Sequence, residues 1–595
     1  MTSAISNLNL GMIGNGTVSA LIDECAAMVW ACFPTFDGDP AFCSLLQPKI
    51  ADSGKFEIVL EGFSHGTQRY LDNSAVLSTQ LVANDGSSIE VRDFAPRYKQ
   101  FGRVFHPMGF VRSVRPLSGT PKVRIRMRPL SGYAERIPER RSGSNHVRYL
   151  LGETVLRVTT DAPLSMLLEE VPFLLDREIH FIIGEDEPVT EQPAQLAGQM
   201  MRSTLEYWHE WVRYLSIPAE WQDAVIRAAI TLKLCQHEGT GAIVAAMTTS
   251  IPEAPHTVRN WDYRYCWLRD AAFVVRALNR LGATRSMEEY ARYLFNLAAS
   301  DTALTPVYGI HFERELLESE AKALTGYRGM GPVRVGNDAW RQVQHDVHGS
   351  VVLAVTQLFF DRRLARPGDA AAFHWLEPAG ESAWLAHDQP DAGIWEFRGR
   401  ESVHTYSSAM CWATCDRLAR IAAQLKLVDR AEFWRQRALT IRETILARCI
   451  DPKRGHFVDA FDGEHLDASL LLLAELGFVS ASDPRYVATV DAIGRELTRS
   501  GHLYRYIAPD DFGVPETSFT VCNFWYVDAL AATGRTDQAR KLFESLLEHR
   551  NPLGLLSEDI ATETGELWGN YPQTYSMVGL INSAMRLSRS WEELL

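Results

Sequence analysis

The run Asn260-Trp261-Asp262-Tyr263-Arg264-Tyr265-Cys266-Trp267-Leu268-Arg269-Asp270 leads into Ala271-Ala272-Phe273-Val274-Val275. Four large aromatic faces stand among two arginines and two aspartates, and a helical apolar run starts only after them. This composition suits a sugar, whose apolar ring faces stack on aromatics while its hydroxyls need fixed donors and acceptors. Arg269-Asp270, at the mouth of the helix, is suited to adjacent hydroxyls of one ring, with Asp accepting and Arg donating. An aromatic loop packed on a core beside a structural ion pair has the same composition.

At 595 residues the chain exceeds one ordinary core, so two domains are expected. Hydrophobic residues make up 46% and charged residues 23%, as in globular proteins. A net charge of −14 disfavours nucleic acid or an anionic membrane as partner and fits a neutral substrate. The N-terminus, MTSAISNLNLGMIGNG, has no basic or apolar leader-like region, and no apolar run is long enough to span a membrane. Nine cysteines, mostly within apolar runs (Cys235, Cys449, Cys522), read as reduced buried thiols of a cytoplasmic protein. Cys411 and Cys415 share helical spacing, but no partner completes a zinc site.

Residues 1 to about 190 read as β. Lys122–Arg128 alternates strictly, and Phe56–Leu60, Thr154–Val158 and Ile179–Ile183 are β-branched runs. Asn84-Asp85-Gly86 and Asp52-Ser53-Gly54 mark turns, so an antiparallel sandwich is expected. Arg124, Arg126 and Arg128 read as a solvated strand face. A linker helix is expected within 191–217, carrying Tyr207, Trp208 and Trp211. In 218–595 the period is helical, with Trp221, Val225, Ala228, Leu232 and Cys235 on one face. Further helices are expected near 267, 285, 338, 403, 430, 466, 485, 517, 535 and 573, with room for one more in 310–325.

Several pieces in order resemble glycoside hydrolase family 15, the glucoamylase, glucodextranase and trehalase group. They are Asn260–Asp270, Gly331-Pro332-Val333-Arg334-Val335-Gly336-Asn337, Gly393-Ile394-Trp395-Glu396-Phe397-Arg398-Gly399, Gly554-Leu555-Leu556-Ser557-Glu558-Asp559 and Gly569-Asn570-Tyr571-Pro572-Gln573. Ile13-Gly14-Asn15-Gly16 and Phe33-Pro34-Thr35-Phe36-Asp37 resemble the bacterial members. The resemblance implies an (α/α)6 barrel after the β-sandwich. It also implies an exo-acting, inverting α-glucoside hydrolase that releases glucose from short α-glucosides or trehalose without a cofactor or metal. Periodicity alone gives the helices but not the ring.

Acetal hydrolysis needs a proton donor for the leaving oxygen and a second carboxylate, either as nucleophile or to activate water. Glu396 lies between Trp395 and Phe397, and aromatic neighbours favour the protonated form a general acid requires. A helix-face glutamate in salt bridges has the same local sequence. The match of GIWEFRG to the family's acid motif implies that Glu396 is the acid. Glu558, in a loop after Asn551-Pro552-Leu553-Gly554, matches the family's base, with Asp559, Glu563 and Glu566 as rivals. The resemblance implies a first-sugar pocket of Tyr263, Trp267, Arg269, Asp270, Trp395 and Arg505. Arg505-Tyr506-Ile507-Ala508-Pro509-Asp510-Asp511 is two residues longer before the acids than the family pattern. Trp340 and Trp568 read equally as second-sugar contacts or core. GMGPVRVGN lacks the ending of a phosphate loop, and His345 and His348 lack further metal ligands. The alternatives are an inverting sugar phosphorylase of the same architecture, a non-catalytic carbohydrate-binding protein, or a helical-toroid prenyl enzyme. The last would need a zinc or Asp-rich site not seen here.

Overall fold

The computed structural model describes residues 6–300 and 304–595; residues 1–5, which open the stretch read for a leader, lie outside it. The first sheet orders Gly11–Gly14, Ser19–Ile22, Met28–Phe33, Lys55–Leu60, Lys122–Arg128 and Phe173–Leu174, with Asp39–Phe42 beside Met28–Phe33. The second orders Glu139–Ser142, His146–Leu150, Val155–Thr160, Ile179–Gly184, Gly109–Ser118, Ser88–Phe94, Leu77–Ala83 and Phe63–Tyr70. Pairing is antiparallel, and Asn84-Asp85-Gly86 turns the hairpin of Leu77–Ala83 and Ser88–Phe94 as expected. The inner faces meet where Phe56 packs edge-on against Phe181, centroids 5.4 Å apart. Alternation along Lys122–Arg128 buries Val123, Ile125 and Met127. Arg124, Arg126 and Arg128 turn outward onto Glu61, Glu57 and Glu170, so the basic stripe is a neutralised outer face.

Helix α1 (Pro193–Arg213) joins this part to the helices. Its Ala197 packs with Val76, Phe94 and Val111 of the second sheet. Farther along, Tyr207 and Trp208 enter the core shared with the helices that follow. Those are α2 (Gln222–Leu234), α3 (Leu268–Arg280), α4 (Thr284–Ser300), α5 (Asp346–Val355), α6 (Ala370–Ala386), α7 (Thr405–Gln424), α8 (Val428–Arg448), α9 (Pro484–Glu496), α10 (Thr520–Ala532), α11 (Thr536–Glu548) and α12 (Thr574–Leu587). Among the described residues, α3 packs on α5, α5 on α7, α7 on the 3-10 segment Ala468–Leu473, that segment on α10, α10 on α12, and α12 on α3. Helices α2, α4, α6, α8, α9 and α11 pack against these. The first group is buried almost all round, as α12 shows from Thr574 to Ala584.

Four readings need correction: α6 was missing from the expected helices, and three expected elements differ. Helix α6 carries no clear apolar period, and Pro378 and Gly380 inside it read as breaks. Gly380 is there for packing: a Cβ would stand 2.4 Å from Leu418 and 2.5 Å from Trp434. The helix expected near 338 is a short 3-10 turn, Asp338–Arg341, and α5 starts only at Asp346. The segment 310–325 is irregular, with Ser319–Glu320 paired to Arg334–Val335. The helix expected near 466 winds as a 3-10 segment whose four leucines are all buried.

Candidate active site

Six inner elements begin around one cavity of about 100 Å³. Trp267 precedes α3, Gln344 lies just before α5, and Glu396 precedes α7 in a loop. Asp467 caps the 3-10 segment, Phe519 precedes α10 and Gln573 caps α12. Helix N-termini carry partial positive charge and free N–H groups, so this end favours carboxylates and sugar oxygens. Glu396, Glu558, Tyr263, Trp267, Arg269, Asp270, Trp395 and Arg505 all line the cavity.

Glu396 sits in a tight turn, its N–H donating to Gly393 O at 3.1 Å, with a left-handed φ of 59°. That conformation costs a residue with a Cβ roughly 1 kcal/mol, a strain that recurs at functional positions. Three donors converge on its Oε1: Trp267 Nε1 at 2.7 Å, Arg269 Nη2 at 3.1 Å and Gln344 Nε2 at 3.2 Å. The expected aromatic cage is therefore not what surrounds this carboxyl. Trp395 turns its N–H to Asp467 Oδ2 at 2.8 Å, and Phe397 packs on His404 and Tyr506. The Glu396 side chain keeps 24% of its surface exposed.

Glu558 is buried, and its placement follows from strand geometry. The next residue, Asp559, pairs with Phe519 on one side and Trp568 on the other. Successive residues of a strand point to opposite faces, so Glu558 lines the cavity while Asp559 turns to Thr517 Oγ1 at 3.1 Å. Tyr263 OH donates to Glu558 Oε1 at 2.7 Å, and Asn570 N donates to Oε2 at 3.2 Å. Gly569 makes room, since a Cβ there would lie 2.5 Å from that of Glu558. Burial, then Glu253 and Asp559 nearby, push the Glu558 carboxyl well above the usual carboxylate range; Tyr263 and Asn570 oppose this.

Arg269 is less a partner of Asp270 than the sequence implies. Its Nε lies 3.5 Å from Asp270 Oδ2, while it donates to Tyr575 OH at 2.8 Å, Gln344 Oε1 at 2.8 Å and Glu396. Asp270 Oδ2 has no hydrogen-bond partner, and burial pushes this carboxyl up to about 7 against the pull of Arg269. Behind it Asp346 is buried, neither oxygen is hydrogen-bonded, and burial raises it to about 6. Arg505 donates to Glu253 Oε2 at 2.9 Å. Glu253, Gln344 and Tyr575 were not legible in sequence, because nothing local marks them. Asp262 and Arg264, in the opening stretch, do not serve the cavity. They pair with each other, fully buried, and Arg264 reaches Gly38 O of the β part at 2.8 Å.

Trp340 and Trp568 do not line the cavity; Trp568 is buried against Tyr327 and Arg328. Glu566 pairs with Arg328. Among the described residues, no group of three or more His, Cys, Asp or Glu is placed to hold a metal ion. No described helix is long and apolar enough to cross a membrane.

A model of "Glycosyl hydrolases family 15" matches residues 220–585, and one of "Trehalase-like, N-terminal" matches residues 3–153. The chain belongs to glycosyl hydrolase family 15. This family-15 enzyme is 32% identical to a trehalase of Mycolicibacterium smegmatis, over 98% of this chain and 91% of that one. It is 29% identical to a trehalase of Thermoplasma volcanium, over 98% and 93%. Its fold resembles that of a bacterial glucoamylase complexed with acarbose, with a TM-score of 0.69 at 12% identity, covering 99% of this chain and 95% of that one.

Proposed function

We propose that this glycoside hydrolase is exo-acting and inverting, releases glucose from short α-glucosides, and takes trehalose as a substrate. Glu396 acts as general acid and Glu558 as general base. The observation carrying this reading is that two glutamates from distant loops line one cavity, each carboxyl fixed by its own donors. Glu396 gives its proton to the glycosidic oxygen as the C1–O bond breaks. Glu558 takes a proton from the water that attacks C1 from the opposite face, and the anomeric configuration inverts. Inverting chemistry needs the carboxyls roughly 6.5–9.5 Å apart. Arg269 stabilises Glu396 once it has given up its proton. Arg269, Asp270 and Tyr575 form the deep end that holds the terminal ring. Trp267 and Trp395 wall it, Tyr263 orients Glu558, and Arg505 orients Glu253.

The buried Glu558 supports hydrolysis over a phosphorylase, which would need no base, and over a protein that merely binds sugar. The relatives named as trehalases support trehalose. The catalytic module is read as 218–595, an (α/α)6 barrel supported by the circuit of inner elements, preceded by a sandwich at 1–190 and a linker at 191–217. The partner is a small saccharide, not nucleic acid or membrane, and the setting is cytoplasmic. Glucose release from trehalose, isomaltose, maltose and maltodextrin tests this. Release from trehalose is expected; none from trehalose overturns that substrate, and none from any of the four overturns the glucosidase reading.

A further inference from the structure

Three chain segments meet at the outer rim of the cavity, and each is tied to the next. Arg259 donates through both terminal nitrogens to Asp510, at 2.8 and 2.6 Å, and the Asp510 side chain is only 5% exposed. Asp511 Oδ2 accepts the backbone N–H of Arg398 at 2.7 Å, just beyond Glu396. Gly399 permits this approach, because a Cβ there would stand 2.3 Å from Asp511 Oδ1. The guanidinium of Arg398 lies 4.2 Å from the Trp261 ring centre, and Phe512 meets Trp261 edge-on at 5.3 Å. The circuit therefore closes from the 259–261 segment through 510–512 to the acid loop and back.

These rim residues line the same cavity as the two glutamates. Asp511 and Phe512 are exposed, which puts their turn at the mouth, while Arg269 and Asp270 are buried at the floor. A ring held at the floor puts its scissile bond at the glutamates and leaves the space up to the rim for the leaving group. A charge-assisted pair, a cation–π contact and an edge-on ring contact hold these three segments together around the mouth.

We propose that this closed rim restricts the leaving group to a single sugar ring, so that the enzyme takes disaccharides and rejects longer chains. The proposal rests on the α-glucosidase reading and names its substrate class. It is tested by kcat/KM on length series in whichever linkage the enzyme cleaves. One series is maltose and maltotetraose; the other is trehalose and trehalose extended on one ring by α-1,4-linked glucose. The native enzyme should cleave the extended substrate at least tenfold less efficiently than its disaccharide. Asp511→Ala with Phe512→Ala, both exposed and outside the core, should raise the extended-to-disaccharide ratio tenfold or more, whatever the absolute rates. A native discrimination below tenfold, or a smaller rise in the double variant, overturns the rim as a length limit and leaves the glucosidase reading intact. Failure to cleave any disaccharide would instead overturn that reading, and this inference with it.

Discussion

Glu396 and Glu558 face one cavity with different surroundings, one held by three N–H donors and partly open, the other buried among acids. Glu396→Gln and Glu558→Gln keep side-chain shape, so both variants should fold. Each should lower turnover by about 10²–10⁴-fold, the usual worth of a positioned proton-transfer group. Steady-state kinetics with a melting curve for each variant checks this, and near-native turnover in Glu558→Gln would place the base elsewhere. The acid limb of activity should also lie high. Glu558 is raised in the folded enzyme, so it is protonated and inactive below its raised pKa and ionises as pH climbs through it. Glu253 contributes to that rise. Glu253→Gln should therefore move the acid limb of the kcat/KM profile to lower pH, and an unmoved limb would show that Glu253 does not set it. Sequence motifs mark the two glutamates and six other residues that line the cavity. They do not mark Glu253 or Tyr575, which reach the cavity only when helices far apart in sequence converge.

The loop before Glu558 is anchored outside its own helices. Leu553 inserts into the core of the sandwich. Asn551, buried, donates to Leu8 O at 3.1 Å and Leu10 O at 3.0 Å, and accepts from Leu553 N and Leu555 N, both at 3.0 Å. Removing one such side chain strands several buried backbone groups, each costing about 1–3 kcal/mol. Asn551→Ala should lower stability by at least about 2 kcal/mol in denaturant unfolding, and a loss under 0.5 kcal/mol would show that the anchor is not needed. Periodicity served well for elements with one apolar face, such as α9 and α11. It failed for α6, whose Pro378 and Gly380 mimic a break, and for the uniformly buried leucines of 468–473, where no period exists to choose α over 3-10.

Across the whole molecule, the sandwich and the helices share side chains. Trp30 Nε1 donates to Met247 O at 2.8 Å, and Arg97 pairs with Glu238 at 2.6 Å, both buried. The change of period from two to 3.6 marked where strands give way to helices, but these contacts were not legible, because neither partner stands in a motif. The proposed chemistry uses carboxyls alone, so prolonged chelator treatment should leave turnover unchanged; loss restored by one specific ion would refute that. The account stands or falls on water attacking C1 opposite the leaving group under Glu558. Proton NMR in the first minutes of trehalose hydrolysis, before the anomers equilibrate, reads this directly. Inversion predicts α- and β-glucose in equal amounts, because only the attacked ring changes configuration, whereas α-glucose alone would contradict it.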